Sequence, residues 1–501
     1  MYFKETTITK ETDYPENKQL QDIWCTRTRS SNIHPPNTSS IDVFYSGRDS
    51  SLRNAIINEM NKANEFICIC SFLLGEDQIN SKILEKSKII PIYILSVPET
   101  ILNKDIADQD DNLQAQQKID DYKRFLNAIS EKVLFRASKH FHSKFILIDP
   151  KNPNKASGIL TTANFNSAVI DGDEIGIKLN YNEIQELYQQ FLIGFWEESE
   201  MELLQKGTFK PISKKPESIT LNYDFKQIWL TIFSEKSRIR FRTLKDRIIK
   251  FLDQTEGEII ISMYGFDLDS DLFKKLIELS KKRKIILLTR LRENQLSILR
   301  ELKVFNITIY GSRKLHAKAI VSTLNGKLTA FLMTANFQKK GLDEGFESGI
   351  ILNDQRATKI NNILKFWIES FEWEYIPQSK LENLQNNFFK LEAGVFVEHT
   401  IKLIHEFNTR DIYLTSLDQK VELNVNPEPN IYAKKFKQNF KIIPNRLPAG
   451  LEKIDRKKIK CRIYVNEKGD KYYLGANNSN EYEEAINLKS NEFFNAIIGL
   501  D

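Results

Sequence analysis

Two copies of a histidine–x–lysine motif stand out from the rest of the sequence. The first is His142-Ser-Lys144 and the second is His316-Ala-Lys318. In an extended segment, residues i and i+2 lie on the same side, so each lysine accompanies its histidine. An imidazole can attack phosphorus as a nucleophile, and an ammonium group can hold a non-bridging phosphate oxygen. The motifs therefore predict chemistry on a phosphodiester.

An asparagine and a glutamate follow each motif at matching distances. They are Asn164 and Glu174 in the first copy, and Asn336 and Glu347 in the second. The offset between the copies is 174 residues for the histidines, 172 for the asparagines and 173 for the glutamates. Such near-constant offsets indicate two copies of one fold. We expect the asparagines to donate to phosphoryl oxygens. Each glutamate should accept from the far ring nitrogen of the histidine in its own copy, which fixes the tautomer.

Two such motifs from two lobes can meet in one site at a pseudo-twofold axis. One histidine would then attack phosphorus while the other protonates the leaving oxygen. We assign His142 as the nucleophile and His316 as the general acid, and the reversed assignment stays open. Lysines and histidinium supply the positive charge, so the sequence predicts no metal site and no cofactor.

The repeated motif, the downstream asparagine and the following glutamate resemble the phospholipase D superfamily. That family's motif is HxKxxxxD followed by GSxN, and the resemblance covers roughly residues 40–376. The matching residues are His142, Lys144, Asp149 and Asn164 in the first copy, and His316, Lys318 and Asn336 in the second. The resemblance implies lobes built on a β-sheet flanked by helices, and a covalent phosphohistidine intermediate.

The sequence departs from the family pattern at three places. Thr323 stands where the second motif should have its aspartate, and both glycines of GSxN are lost. Thr162 and Thr334 keep the hydroxyl and are predicted to support the site. Tyrosyl-DNA phosphodiesterases, in the same superfamily, also lack the aspartate, so Thr323 does not exclude catalysis. For Asp149 we favour a structural role at the strand end over a chemical one.

The elements that must position these residues repeat as well. Apolar segments typical of buried strands occur in both halves, at 66–72, 144–148 and 158–162, and at 259–264, 318–321 and 328–334. Amphipathic segments typical of helices lie at 51–62, 183–197, 272–282 and 357–371. Strands that alternate with helices predict an α/β fold. We expect two pseudo-twofold-related lobes, each a β-sheet flanked by helices, and a C-terminal α+β domain.

The domain boundaries follow from where the repeat starts and stops. We predict an irregular N-terminal arm over lobe one at 1–39, lobe one at 40–204, a linker at 205–235, lobe two at 236–376 and a C-terminal basic accessory domain at 377–501. The linker is indicated by two prolines and three lysines within 207–218. Between residues 432 and 462, eleven lysines or arginines stand against two acidic residues.

Composition narrows the class of protein. The chain has 501 residues and a formal net charge of +5, which by itself names no partner. The sequence shows neither a signal-peptide pattern nor 18 consecutive uncharged apolar residues, so we expect a cytoplasmic protein without stable membrane insertion. The four cysteines form no CxxC motif, which argues against a disulfide framework or a zinc site.

Basic residues beside the motifs and in the C-terminal segment are candidate substrate-binding groups. They are Lys139, Arg313, Lys314, Lys434, Lys435 and Lys437. Beside the motifs they predict a positive rim around a phosphate site. In the run 434–437 cations intermix with aromatic residues, as in single-strand binders, and a solvated basic face explains that run equally well.

These observations predict a metal-independent phosphodiesterase, foremost a nuclease that cleaves DNA or RNA. By analogy alone, the setting extends to restriction or anti-phage defence. The alternatives are a phospholipase D or phosphatidyltransferase that acts on lipid, and a catalytically degenerate subunit that binds nucleic acid. The intact histidines and lysines in both copies favour an active enzyme. One chain carries a complete site, so dimerisation is not required, and a protein partner that controls activity is left open.

Overall fold

The fold is seen in a computed structural model of the chain. The residues that it describes are 3–4, 23–26, 35–36, 42–46, 50–98, 122–212, 224–233, 240–290, 296–303, 307–312, 314–371, 373–376, 389–390, 396–397, 402–406, 411–415, 463–466 and 471–473. They include both histidine–x–lysine motifs and most of the two predicted lobes.

Two short strands, β1 (Phe3–Lys4) and β2 (Ile23–Thr26), come first in the chain and belong to other sheets. Lobe one is a nine-stranded mixed sheet. Its strands are β3 (Val43–Tyr45), β4 (Ile67–Cys70), β5 (Ile92–Ser96), β6 (Leu134–Ala137), β7 (Phe145–Ile148), β8 (Ser157–Thr161), β9 (Ile175–Lys178), β10 (Met201–Leu203) and β11 (Phe209–Pro211). They are arranged in the order β11-β10-β6-β5-β4-β7-β8-β9-β3. The helices are α1 (Ser51–Lys62), α2 (Asp77–Lys86), α3 (Ala168–Asp171) and α4 (Tyr181–Leu192), and α4 continues into a π-helical turn at Ile193–Glu198. Residues 122–129 are also helical.

Lobe two repeats this plan in a ten-stranded sheet. Its strands are β12 (Ile228–Phe233), β13 (Arg240–Arg242), β14 (Glu256–Ser262), β15 (Ile285–Arg290), β16 (Ile307–Ser312), β17 (Ala319–Leu324), β18 (Lys327–Met333), β19 (Phe346–Asn353) and β20 (Trp373–Ile376). The order is β13-β12-β19-β18-β17-β14-β15-β16-β20-β2. The helices are α5 (Thr243–Gln254), α6 (Asp271–Ser280), α7 (Leu296–Lys303), α8 (Lys339–Glu344) and α9 (Asp354–Ser370). The predicted α/β class with two sheets flanked by helices is confirmed.

Each central strand is buried on both faces because it separates two apolar layers. In β4, Ile67 and Ile69 pack into the outer core of lobe one, whereas Cys68 and Cys70 face a second core. That second core is shared, since it joins the inner faces of both sheets with helices α4 and α9. An ion pair of 2.5 Å between Glu183 of α4 and Arg356 of α9 also joins the lobes.

The structure departs from two of the domain predictions, one on the linker and one on the N-terminal arm. The segment 205–235 is not a plain linker, because β11 extends the lobe-one sheet and β12 pairs with β19 in the sheet of lobe two. The apolar residues of β12 form a buried strand of the lobe-two sheet. The comparison of the two sequence repeats did not reveal this strand. The N-terminal arm does not lie over lobe one at residues 23–26, because β2 pairs with β20 at the edge of lobe two.

The motif aspartate of lobe one is a structural residue. Asp149 is fully buried at the end of β7 and accepts hydrogen bonds from the backbone N–H groups of Asn64, Glu65 and Phe66, at 2.9, 2.7 and 2.9 Å. In lobe two, β17 and β18 are joined by a tight hairpin at Asn325 and Gly326, both with positive φ. The different connection explains how lobe two can fold without an aspartate at position 323.

The C-terminal prediction lies largely outside the described residues. Strands described there are β21 (Phe389–Lys390), β22 (Phe396–Val397), β23 (Lys402–Glu406), β24 (Asp411–Thr415), β25 (Ile463–Asn466) and β26 (Lys471–Tyr473). They form two hairpins and, with β1, a three-stranded sheet. Within the described part of the chain, no helix has both the length and the apolar character needed to cross a membrane.

Candidate active site

Both motifs lie at the boundary between the lobes, immediately before β7 and β17. The backbone N–H groups of His142 and Ser143 donate to the carbonyl oxygen of Phe346, at 3.1 and 2.8 Å. In the same way, His316 and Ala317 donate to the carbonyl oxygen of Asp173, at 3.2 and 2.9 Å. Each motif is thus attached to the residue that precedes the glutamate of the opposite lobe.

This attachment determines how histidines and glutamates pair. His142 Nδ1 lies 2.7 Å from Glu347 Oε1, and His316 Nδ1 lies 2.6 Å from Glu174 Oε1. Each histidine therefore contacts the glutamate of the other lobe. The expectation that each glutamate orients the histidine of its own copy is wrong, because the offsets between copies are the same for either pairing.

Threonine hydroxyls hold the second oxygen of each carboxylate. Thr162 donates to Glu174 Oε2 and Thr334 donates to Glu347 Oε2, both at 2.5 Å. Both threonines and Glu174 are fully buried, and Glu347 is nearly so. A glutamate fixed at both oxygens presents one defined lone pair to its histidine, so it can orient the ring. The two residues predicted to support the site thus support it through the glutamates.

The two lysines are fully buried but do not have the same contacts. Lys144 Nζ donates to the carbonyl oxygen of His142. Lys318 Nζ donates to the carbonyl oxygen of His316 at 2.6 Å, and it also lies 2.9 Å from Nε2 of the His316 ring. No described residue makes an equivalent contact with Nε2 of His142. The site is therefore pseudo-symmetric in its frame and asymmetric at the reacting nitrogens.

Burial lowers the pKa of both lysines, because it disfavours the charged form. The pKa of Lys144 falls to about 8 and that of Lys318 to about 7, while the nearby carboxylates of Glu174 and Glu347 act in the opposite direction. Both ammonium groups therefore lie near their titration point at neutral pH. A phosphodiester anion placed between them would favour their protonated forms.

The glutamates and histidines of the free site differ in their charge. Burial raises the pKa of each glutamate, but the paired histidine, the neighbouring lysine and the threonine hydroxyl outweigh it and lower the pKa overall. Burial also lowers the pKa of both histidines, and for His316 it reaches about 3. At neutral pH the free site thus holds ionised glutamates beside neutral imidazoles.

The two predicted asparagines follow the strands next to the motifs. Asn164 comes after β8 and Asn336 after β18, and these strands pair with β7 and β17. The Oδ1 atoms of both side chains are buried without a hydrogen-bond partner among the described residues. The unpartnered atom of each side chain is an acceptor, so a contact with a phosphoryl oxygen would have to use the Nδ2 group, which in Asn336 donates to Gln338 Oε1 at 3.3 Å.

Two aromatic residues that the sequence did not indicate also contact the histidines. Phe72 packs edge-on against His142, and Tyr264 does so against His316, with ring centroids 5.4 and 4.9 Å apart. They follow β4 and β14 at equivalent positions. The same 192-residue offset relates the apolar runs of these two strands, so aligning the strands rather than the motifs could have found the pair.

The predicted basic rim is described only in part. Lys139 and Lys314 are exposed beside the two motifs. Arg313, Lys434, Lys435 and Lys437 lie outside the described residues. Among the residues that are described, no cluster of three or more histidines, cysteines, aspartates or glutamates could hold a metal ion.

Comparison with known proteins matches part of the chain to one family model. Residues 248–370, most of lobe two, match the family model for the cardiolipin synthase, PLD-like domain. Lobe two therefore matches a phospholipase D-like domain, as the repeated motif predicted. No curated protein sequence matches the chain.

Several solved structures are similar to this chain at low sequence identity. A polyphosphate kinase from Porphyromonas gingivalis matches 64% of the chain with 14% identity and a TM-score of 0.42, and the chain spans only 50% of that kinase. A phosphatidylserine synthase from Haemophilus influenzae matches 68% of the chain and 89% of its own length, with 11% identity and a TM-score of 0.45. Nuc, a phospholipase D family member from Salmonella typhimurium, matches 31% of the chain and 95% of its own length, with 13% identity and a TM-score of 0.24.

Proposed function

We propose that this protein is a phosphodiesterase that cleaves nucleic acid through a phosphohistidine intermediate, without a metal ion. The observation that carries the proposal is the meeting of two histidine–lysine–glutamate sets across the lobe boundary. Their electrostatic interactions extend across that boundary, since the ammonium of Lys144 acts on His316 and that of Lys318 acts on His142. One phosphate between the lobes would therefore contact groups from both motifs.

The first step forms a bond between histidine nitrogen and phosphorus. Nε2 of one histidine attacks the phosphorus, and the bond from phosphorus to the leaving oxygen breaks. The leaving oxygen takes a proton from Nε2 of the other histidine. Lys144 and Lys318 stabilise the charge on the non-bridging oxygens, aided by the amide groups of Asn164 and Asn336.

His316 is the better nucleophile, which reverses the assignment favoured from sequence. Its Nδ1 donates to Glu174 and its Nε2 accepts from Lys318, so the proton lies on Nδ1 and the lone pair on Nε2. Burial, and to a smaller extent the adjacent ammonium, oppose protonation at Nε2 and lower the pKa of His316 to about 3. His142 must first become an imidazolium to act as the general acid. A bound phosphodiester anion and the ionised Glu347 would favour protonation of its Nε2, which no ammonium of a described residue contacts. Binding of a phosphoryl oxygen would draw Lys318 from His316 and release the lone pair.

The second step returns the enzyme to its starting state. His142, now neutral, accepts a proton from water, and the resulting hydroxide attacks the phosphorus. The bond from phosphorus to His316 Nε2 breaks, and the phosphate monoester leaves. Glu347 fixes the ring of His142 throughout, so that Nε2 faces the reaction in both steps.

Nucleic acid is favoured over lipid as the substrate because of charge. Lys139 and Lys314 are exposed at the two entrances to the motifs, where a polyanionic strand would pass. The predicted setting in restriction or anti-phage defence and the control by a protein partner stay predictions.

The test measures cleavage of labelled single-stranded DNA, duplex DNA and RNA in excess EDTA, beside a short-chain phosphatidylcholine assay. Wild type is compared with His142→Ala and His316→Ala. We expect nucleic-acid cleavage that each variant loses. Lipid turnover alone would replace the substrate class, and a strict need for a divalent metal would reject the phosphohistidine route. Tight nucleic-acid binding without any cleavage would favour the degenerate binding subunit.

The two histidine roles can be separated with bis(p-nitrophenyl) phosphate, whose leaving group needs little protonation. His142→Ala should still form the intermediate with this substrate but hydrolyse it slowly. Mass spectrometry should then find a phosphoryl adduct on the peptide that contains His316. An adduct on the peptide with His142 in the His316→Ala variant, and none in the reverse experiment, would restore the assignment made from sequence.

A further inference from the structure

An arginine at the lobe-two side of the active site has no part in the mechanism above. Arg290 is the last residue of β15, and its guanidinium carbon lies 5.5 Å from the centre of the Tyr264 ring. Lys318 Nζ lies 5.5 Å from the same ring centre. The two cations are therefore no more than 11 Å apart, and the ring between them is the one that packs against His316.

Arg290 lacks the ion pair with a described residue that a buried arginine usually makes. No carboxylate of a described residue lies within ion-pair distance of its guanidinium, and the side chain is only partly buried. By contrast, Arg136 of lobe one is buried and has both an ion pair to Glu202 and a hydrogen bond to a backbone carbonyl. A guanidinium without an ion pair to any described residue can offer its donors to phosphate oxygens, which its planar geometry suits.

The neighbouring strand brings further polar groups to the same edge. Arg290 is the register partner of Ser312, the last residue of β16, and Lys314 follows two residues later. Ser312 donates to the Asp173 carboxylate, which is the acidic group within this cluster. Burial raises the pKa of Asp173 to about 6, so the carboxylate is still mostly ionised at neutral pH, and it interacts with both Lys314 and Arg290.

Lobe one has no equivalent of this cluster. The strand registers place Val97 where lobe two has Arg290, and the motif offset places His140 where it has Lys314. Each motif has one exposed lysine beside it, Lys139 or Lys314, and lobe two has Arg290 in addition, next to the histidine proposed as the nucleophile. A substrate with a single phosphate would not need these cations.

We propose that Arg290 and Lys314 form a subsite that binds the phosphate next to the scissile one in a nucleic-acid strand. The inference rests on the proposed function and adds a direction to it, since the strand would extend from the scissile phosphate along lobe two. Arg290 is a binding residue in this proposal, and Tyr264 fixes its distance from Lys318.

The test compares a substrate that has one phosphate with a strand that has many. We would measure kcat/KM of wild type and Arg290→Val on bis(p-nitrophenyl) phosphate and on decathymidylate. Valine is the residue that lobe one has at this position. We expect the ratio of decathymidylate to bis(p-nitrophenyl) phosphate activity to fall about tenfold, by loss of one charge-assisted contact. An equal fall on both substrates would show that Arg290 acts through Tyr264 and His316, and would overturn the subsite.

Lys284→Val is the matched control, because it removes one cation at the opposite end of the same strand. Lys284 is exposed and pairs with Glu258 at 2.8 Å, so its loss should leave the ratio unchanged. Arg290→Lys keeps the charge and should recover most of the ratio. A fall of the same size in the Lys284 variant would mean that net charge alone is responsible.

Binding separates this inference from the proposed function. In a His316→Ala background, the affinity for labelled decathymidylate is measured by fluorescence anisotropy over a range of salt. Arg290→Val should weaken binding about tenfold and reduce the slope of log affinity against log salt by about 0.7, the value for one phosphate of a single strand. Unchanged affinity and slope would refute the subsite. Hydrolysis of bis(p-nitrophenyl) phosphate that survives His316→Ala would instead refute the proposed chemistry.

Discussion

The pairing of each histidine with a glutamate from the opposite lobe determines which substitutions should behave alike. Glu347 contacts His142, and Glu174 contacts His316. A glutamate that fixes a tautomer affects only the step in which its histidine takes part. The phenotype of a glutamate variant should therefore follow the histidine that it contacts and not the histidine nearest in sequence.

Glu347→Gln should resemble His142→Ala. We expect hydrolysis of the intermediate to slow by about a hundredfold, within the range for general acid–base catalysis, so that a phosphoryl adduct accumulates on His316. Glu174→Gln should slow formation of the adduct instead. Rapid mixing with bis(p-nitrophenyl) phosphate, followed by mass spectrometry of the quenched protein, distinguishes the two. Exchanged phenotypes would mean that the glutamates act within their own lobes.

The lowered pKa of Lys318 predicts an activity that declines in mildly alkaline solution. The ammonium form binds phosphate, and it is lost as pH rises through a pKa of about 7 in the free enzyme. Values of kcat/KM should therefore fall by up to tenfold per pH unit above about pH 7, since kcat/KM reports the free enzyme. Glu174→Gln removes a carboxylate that raises this pKa, so the decline should begin at lower pH in that variant. A flat profile up to pH 9 would contradict this role of Lys318.

At the scale of elements, the aspartate at the end of β7 is an example of a motif residue whose role is structural. Three backbone N–H groups of the segment before β4 depend on the Asp149 carboxylate. An amide has one acceptor oxygen and no charge. Its presence there would leave donors unsatisfied or weakly bound, which costs about 2 kcal/mol.

We therefore expect Asp149→Asn to lower the melting temperature by ~5 °C, while kcat of the folded protein stays near the wild-type value. The matched control is Thr323→Asn, at the equivalent position of lobe two, which should leave the melting temperature nearly unchanged. Thermal unfolding followed by circular dichroism gives the first value, and the bis(p-nitrophenyl) phosphate assay gives the second. A large loss of kcat without loss of stability would give Asp149 a chemical role.

The sequence predicts the strands and helices better than it predicts the contacts between them. Apolar runs identified the central strands, because a strand buried on both faces needs apolar residues at every position. The repeat identified every residue of the two histidine–lysine–glutamate sets. It could not show which glutamate serves which histidine, nor the place of β12, because both depend on how the lobes pack. Arg290 was missed because it belongs to no repeated motif, and only the strand register brings it to the site.

For the whole molecule, the two lobes share one apolar core and one site. Each motif donates backbone hydrogen bonds to the opposite lobe, and Phe141 and Phe346 stack edge-on across the boundary with centroids 4.9 Å apart. The groups that the chemistry requires therefore come from a single chain. We therefore expect the proposed site to need no second copy of the chain.

Mixing two inactive variants tests this arrangement. His142→Ala and His316→Ala, co-expressed in one cell and purified together, should show no more activity than either variant alone. If sites were instead assembled between chains, some would receive both intact histidines and activity would reappear. Wild type diluted with His142→Ala, which should lose activity only in proportion to dilution, serves as the control.

The contact between His142 and Glu347 spans 205 residues of chain. Translation delivers lobe one first, and a nascent lobe can fold before the next is made. During that interval the His142 ring has no carboxylate to fix it, Glu174 has no imidazole to orient, and the second lysine has not yet been synthesised. Activity of the site would thus be withheld until lobe two has been synthesised and folds onto lobe one.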